Sequence, residues 1–437
     1  MFPTSPLTRR SLLIGAGVTA ASMSLAACQS PSVGNPSTAP GTAGGGASAA
    51  GGKLTLMLLG PTDTTTTHVR DNVIPAFKAA EGYDVELQTS DWGSAFQKIT
   101  TGAASNSLPD VFIIGGIWTA PLASKDVLLD ITDRLDAWED KEQFYPGMLA
   151  DCEYEGRMYA VPFAHDTRVG LYRQDLLDAA GVTDIPTTWD EFRAAAEAVK
   201  AQGGVQSPID WALDQSIGLQ QSFAQLFLQA GGEYFDSAGK ATFNSPAGKQ
   251  ALEFMVGTFT DGLADYNVVW PGNGPRPLAS GLSAMTFNGT QVTANVKANA
   301  ADVADKITVG PALKPDAGAE ALSVAWINKF AIAKSTQDAD GAWKLTQFLT
   351  GKEQLSKIDE LYGNLPPRKD LANEPWLSEA DKGLLEAAQN STSQPRHPKM
   401  MQLGAAVKEL LEPAIRGQAG IEETLAAIDA KIDSLEA

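Results

Sequence analysis

From Lys53 onward the chain alternates short apolar runs with stretches of helical spacing, and this order limits the possible folds more than any other feature. Lys53–Leu59 (KLTLMLL) is an apolar run closed by Gly60-Pro61, the pattern of a buried strand. Val69, Val73, Ile74 and Phe77 then recur at helical spacing, which predicts a helix over 67–81. Val85-Glu86-Leu87 predicts a second strand, residues 94–104 a second helix, and Asp110–Ile114, after Pro109, a third strand. A β-α-β-α order implies an α/β protein with a mainly parallel sheet flanked by helices, whose ligands gather beyond the carboxyl ends of the strands. The loops at 60–66, 89–93 and 115–119 fall at those ends. Thr188-Trp189-Asp190-Glu191 is a capping box, Ser245-Pro246 a cap with a first-turn proline, and 376–437 reads as almost entirely helical.

The chain before Lys53 has a different character. Residues 1–27 contain no acid, carry Arg9-Arg10, and run mostly apolar from Leu12 to Ala27, too short a stretch for a membrane span of ~20 residues. Thr8-Arg9-Arg10-Ser11-Leu12-Leu13 resembles a twin-arginine export signal, and Leu25-Ala26-Ala27-Cys28 resembles the lipobox of bacterial lipoproteins. Residues 1–27 are therefore expected to be a removed signal peptide and Cys28 a lipidated residue. Each buried acyl methylene contributes ~0.8 kcal/mol, so two or three chains would hold the protein at the outer face of the cytoplasmic membrane. Residues 29–52 are mostly Gly, Ala, Ser, Pro and Thr, without charge or aromatic ring, and read as a flexible linker.

Charge and rare residues exclude several functions. The net charge is -19, and removal of Arg9 and Arg10 takes it to -21. Nucleic acid, which is held by clustered Lys and Arg, is not an expected partner. Cys28 and Cys152 cannot form a CxxC motif, and His68, His165 and His397 leave little room for a histidine-rich metal site, so no cofactor or metal is expected. Cys152 is expected to be buried. An exported glycosidase would need two carboxylates facing each other at ~5 to 9.5 Å, and no nucleophile elbow or metal motif supports an enzyme.

Six segments, in order, carry a resemblance. They are Leu108–Val111; Gly156–Phe163 with Leu171-Tyr172 and Asp175–Leu177; Pro186–Phe192; Ala230–Gly232; Leu278–Met285; and Ala342–Leu345 with Phe348-Leu349. Together they resemble the extracellular solute-binding proteins of ABC importers, in the carbohydrate branch of family 1 that includes maltose-binding protein. The resemblance implies a two-lobed periplasmic-binding-protein-like fold with three hinge crossings that closes on its ligand. It places the first lobe at 53–164 plus 308–363 and the second at 169–305 plus 366–437, with Pro366-Pro367 near the last crossing. It also implies a monomer that delivers a small-molecule carbohydrate to ABC transporter permease subunits, without enzymatic change.

Sugars present apolar ring faces and hydroxyl rims, which aromatic plates and polar side chains recognise. The resemblance sets Asp166, in Pro162-Phe163-Ala164-His165-Asp166, where the family places a sugar-contacting carboxylate; a solvated hinge acid is the plainer alternative. His165 and Arg168 flank it, His165 being equally suited to packing. Trp118, after the third strand, and Trp92, beside Asp91 after the second, are either stacking plates or partly buried surface rings. Asn288, just after the Ala284-Met285 strand, and Trp326, just before Phe330–Ile332, are further candidates, and Trp270 with Arg276 either covers the cleft or braces it. Two departures count against maltodextrin: Gln291 stands where the family often has an aromatic, and Gly404 where a late helix carries a stacking Trp. The alternative ligand is a glycerophosphodiester or other phosphate-bearing polyol, for which Arg168, Arg276, Arg368 and Arg396 could supply a guanidinium fork.

Overall fold

The computed structural model describes residues 51–213, 218–271, 274–388 and 391–435. The expected signal peptide, Cys28 and nearly all of the linker lie outside them. β1 (Lys53–Leu59), β2 (Asp84–Ser90) and β3 (Val111–Ile114) form the parallel edge of the main sheet in the order β2-β1-β3. A small hairpin, β4 (Glu153–Tyr154) with β5 (Arg157–Met158), stands apart from it. The chain then enters β6 (Ala160–Arg173), fourteen residues long and buried throughout.

β7 (Ile209–Asp210), β8 (Met285–Asn288), β9 (Ile307–Val309), β10 (Ser323–Ile332) and β11 (Ser391–Thr392) complete the set. The sheet runs β2-β1-β3-β10-β6-β8-β7, with β9 on β6 and β11 on β10. β10 lies antiparallel to both β3 and β6, and β6 antiparallel to β8 and β9, so the two long strands give the sheet its mixed character.

Two large apolar cores flank this sheet. Phe77, Phe112, Phe144, Phe163, Phe330 and Leu349 belong to the first, and Tyr172, Phe192, Trp211, Phe227, Phe287 and Leu403 to the second. A smaller cluster around Val169, Leu171, Val292, Leu365 and Leu384 adjoins the second half of β6. One strand thus contributes Phe163 and Ala164 to the first core and Tyr172 to the second, with the polar sequence His165-Asp166-Thr167-Arg168 buried between them.

Local chemistry moves several expected boundaries. The first helix begins at Asp63 because Thr62 caps it, its hydroxyl accepting from the Thr65 amide, and it runs through a π turn at Val69–Val73 to Glu81 before Gly82 ends it at φ 81°. Four consecutive threonines, poor helix formers, hid that start. Trp92 begins a helix rather than preceding one, since Asp91 is its cap. Asn288 and Trp326 lie within β8 and β10, not beside them. The segment 376–437 is less helical than expected: Pro395 and Pro398 sit in an irregular stretch between β11 and the helix Met400–Ile415. Trp189 and Cys152 are buried as expected.

Phe287, on β8, stacks on Phe192 at 4.7 Å and on Trp211 at 5.5 Å and is 1% exposed. Truncation of such a ring leaves a cavity the core cannot refill, so Phe287→Ala should lower the free energy of unfolding by ~3–5 kcal/mol, measured in urea.

Candidate functional site

The alternation of a strand sorts the polar residues of β6. Asp166 and Arg168 share one face and His165 and Thr167 the other. On the second face the His165 ring nitrogen Nδ1 and the Thr167 hydroxyl are 3.0 Å apart, and the His165 amide donates to the Leu365 carbonyl. His165 is therefore turned away from Asp166, and its Nε2 is buried without a protein partner. Burial holds its pKa at about 3, far below the usual imidazole value, so it is neutral at physiological pH.

On the first face, Arg168 places Nε and Nη2 both 2.9 Å from the same oxygen of Asp166, Oδ2. The other oxygen, Oδ1, is buried without a protein donor and lies against Gly289, where an added Cβ would stand 1.9 Å from it. Trp326 faces Asp166 directly across the β6–β10 ladder, and the Arg168 guanidinium lies 4.4 Å from its ring centre. Its indole Nε1 is also buried without a protein acceptor. Such buried polar atoms normally find partners, so this group is a candidate binding surface.

Trp92 and Trp118 form a second aromatic group. Their rings meet edge to face at 5.8 Å, and Phe96 meets Trp118 at 5.3 Å. Glycines set the spacing. A Cβ on Gly115 would lie 3.3–3.4 Å from Trp118 and Trp92, and one on Gly116 3.3 Å from the Trp326 backbone and Cβ. The turn Gly116–Trp118 thus rests on β10 at Trp326, the residue opposite Asp166.

Sequence reasoning missed the glutamines opposite. The buried helix Gly218–Gln229 carries Gln225, whose amide nitrogen donates to the Arg168 carbonyl at 3.1 Å and whose Oε1 has no protein donor. Gln220 Oε1 and Gln402 Oε1 are buried without partners too, and a Cβ on Gly404 would lie 3.7 Å from Gln220 Oε1. The available signal was Gln220, Gln225 and Gln229 inside an apolar helical stripe, where a solvated face would not fall. Gln229 is satisfied, bridging the Trp189 indole and the Leu322 carbonyl.

Other candidates have different neighbours. Asp91 is spent on capping, accepting from the Ser94 amide and hydroxyl, which hold its carboxyl below the usual range. Asn288 is 3% exposed and accepts from the Gly289 amide, bracing the glycine beside Asp166. Trp270 and Arg276 stack on each other at 3.9 Å, and Arg276 reaches Gln291, so this pair braces its own loop. Two cavities, of ≈ 460 and ≈ 170 Å³, lie elsewhere: one beside Lys98 and Leu108, the other beside Trp270 and Leu282. Neither is lined by Asp166, Arg168 or the three indoles, so polar chemistry, not surface shape, locates the site.

Arginines are mostly committed. Arg168 is neutralised by Asp166, Arg368 by Asp140 and Asp370, and Arg396 donates to the Ala150 carbonyl. Among the described residues no group of three or more His, Cys, Asp or Glu could hold a metal ion, and no helix is long and apolar enough to cross a membrane. The two cores also meet: Ile117 packs against both, and Met401, from the helix Met400–Ile415, packs against the first.

Two apolar cores sharing the long strands β6 and β10 are the architecture of a two-lobed periplasmic-binding-protein-like fold. The chain belongs to the bacterial extracellular solute-binding protein family, whose profile matches residues 63–355. These proteins bind solutes and are not enzymes. A putative binding protein of Brucella abortus is 25% identical over 315 residues, 69% of this chain and 73% of that protein. A lactose-binding protein of Rhizobium radiobacter is 30% identical over 244 residues, 52% and 55% of the two chains. A solute-binding protein of Thermotoga lettingae, solved with α-D-tagatose bound, shares the fold at a TM-score of 0.76 and 22% identity, with 87% of this chain and 98% of that one covered.

The buried imidazole gives a pH prediction. Between pH 6.5 and about 3 the unfolded chain binds a proton at His165 that the folded chain refuses, so the stability due to this group is complete above pH 6.5 and lost as pH falls. Replacing His165 with Gln should flatten the acid limb of the unfolding free energy against pH by up to one proton; an unchanged slope would mean that the ring charges in the folded protein.

Proposed function

We propose that this protein captures a neutral carbohydrate between its lobes and hands it, chemically unchanged, to the permease of an ABC transporter. The observation that carries this reading is Trp326 set against an ion pair that is already internally neutralised, with the Trp92–Trp118 pair carried by the turn that rests on Trp326. Indoles suit sugar ring faces, while Asp166 Oδ1 and Gln225 Oε1 offer acceptors to hydroxyl groups. The lactose and tagatose named for the two relatives support the class without fixing the sugar.

The phosphate-bearing polyol is the weaker reading, because Arg168 and Arg368 already face carboxylates. The lobes, on this proposal, divide within β6 at His165–Arg168, within the first half of β10, and near Leu365, whose carbonyl holds His165. That division shifts the boundary expected at 308, since Leu313 packs in the second core. Export by the twin-arginine signal, lipidation at Cys28, a tether over 29–52 and a monomeric state complete the proposal.

Thermal shift against mono- and disaccharides, amino sugars and glycerophosphodiesters tests the ligand class. A true ligand at ~100 times its dissociation constant adds ~2.7 kcal/mol of stability. A sugar should stabilise the protein, and Asp166→Ala should weaken that sugar by at least roughly tenfold, or ~1.4 kcal/mol. Stabilisation by glycerophosphodiesters alone would replace the carbohydrate reading. For the anchor, Cys28→Ser should move the protein from the membrane fraction to the soluble one; continued membrane retention would point to another attachment.

A further inference from the structure

Lys329 is the most deeply buried charge near the cluster, and it touches none of the candidate binding residues. Its side chain is 0% exposed and that of its partner Asp151 3%. Nζ donates to Asp151 Oδ2 at 2.6 Å, to the Gly116 carbonyl at 2.8 Å, to Thr119 Oγ1 at 2.9 Å and to the Asp151 carbonyl at 3.0 Å. The Thr119 hydroxyl itself donates to the Asp151 carbonyl. An ammonium has three protons, so the two Asp151 oxygens share one and every donor is used.

These contacts converge on one turn. Gly116 and Thr119 bracket Ile117 and Trp118, the residue that packs against both cores and the indole of the cluster. Asp151 caps the short helix Pro146–Ala150, and Ala150 accepts from Arg396. Lys329 lies three residues after Trp326 on β10, where the pairing with β6 steps from Ala164 to Pro162 and leaves Phe163 out of register. A single ammonium therefore ties the Trp118 turn and the end of the Pro146–Ala150 helix to the strand that carries Trp326.

We propose that Lys329 is a positioning residue of the binding site, fixing Trp118 against Trp92 and Trp326 through the Gly116 carbonyl and Thr119. The inference rests on the carbohydrate reading for its affinity readout only. An apolar core would fill this space at less desolvation cost, because a buried pair is seldom more stabilising than well-packed hydrophobic side chains. What an apolar side chain cannot do is satisfy three backbone and hydroxyl acceptors at once, and so hold the turn in one place.

The Trp92–Trp118 contact gives a ligand-free reporter, the exciton couplet of adjacent indoles in circular dichroism, assigned with Trp118→Phe. Lys329→Met alone leaves Asp151 buried and unpaired, so the deciding protein is the double variant Lys329→Met with Asp151→Leu, which removes both charges. It should melt near the wild-type temperature yet show a diminished couplet and roughly tenfold weaker sugar binding by calorimetry. Thr119→Val, which keeps shape and deletes one acceptor, should fold and lose part of the couplet. An undiminished couplet in both variants would overturn the proposal and leave Lys329 a space-filling pair member. If the unaltered protein binds no sugar, the carbohydrate reading fails while the couplet still decides the role of Lys329.

Discussion

The backbone ladder between β6 and β10 is the contact on which both lobes depend. It runs from Ala160 opposite Ala331 to Arg168 opposite Val324, and β6 then continues to pair with β8 and β9. Because the two crossings are hydrogen-bonded to each other, neither can bend alone. A strand fully buried over fourteen residues must also keep every backbone group paired, which leaves its polar side chains as the only variable chemistry at the crossing. The register of this ladder puts Trp326 opposite Asp166 and gives the site its first two members.

Charge is handled in the same way at both depths of this region. Asp166 and Arg168 are two residues apart on one strand face, and Lys329 and Asp151 come from distant segments, yet each forms an internally neutral pair. Leaving one charge unpaired in such surroundings costs several kcal/mol, so neither pair can surrender a partner to an ionic guest without a replacement. A neutral guest asks for no such exchange, and it can still use Asp166 Oδ1, which Arg168 leaves untouched. The acidity of the chain is therefore a property of its surface and says little about the cleft.

Legibility in the sequence followed the range of the interactions involved. β1 and β3 were readable because apolar runs of seven and four residues between Gly, Pro and helical spacing have few other solutions, and β2 because Val85-Glu86-Leu87 stands between two helical stretches. Asp166, Trp118 and Trp326 were found through a resemblance in segment order, and the structure brings them together. The capping role of Asp91 and the strand face of His165 were not legible, because capping and strand-face alternation are decided within two or three residues that the sequence read as loop. The glutamines of Gly218–Gln229 and the Lys329 network stayed hidden for the opposite reason. Their partners lie 57 residues away for Gln225, and 178 to 213 away for Lys329, and no local pattern announces a hydrogen bond of that range.

Gln291 and Gly404 show how a lost aromatic changes a site. Gln291 meets Arg276, which is stacked on Trp270, so the position has become part of a loop brace. Gly404 lies beside Gln220, whose Oε1 has no protein partner. Where the resemblance puts two flat plates, this chain has a brace and an amide acceptor, and its candidate indoles are Trp92, Trp118 and Trp326. On the proposed carbohydrate reading, that exchange favours a short sugar held by one ring face and its hydroxyl edge over a long glucan, which needs plates along its whole length.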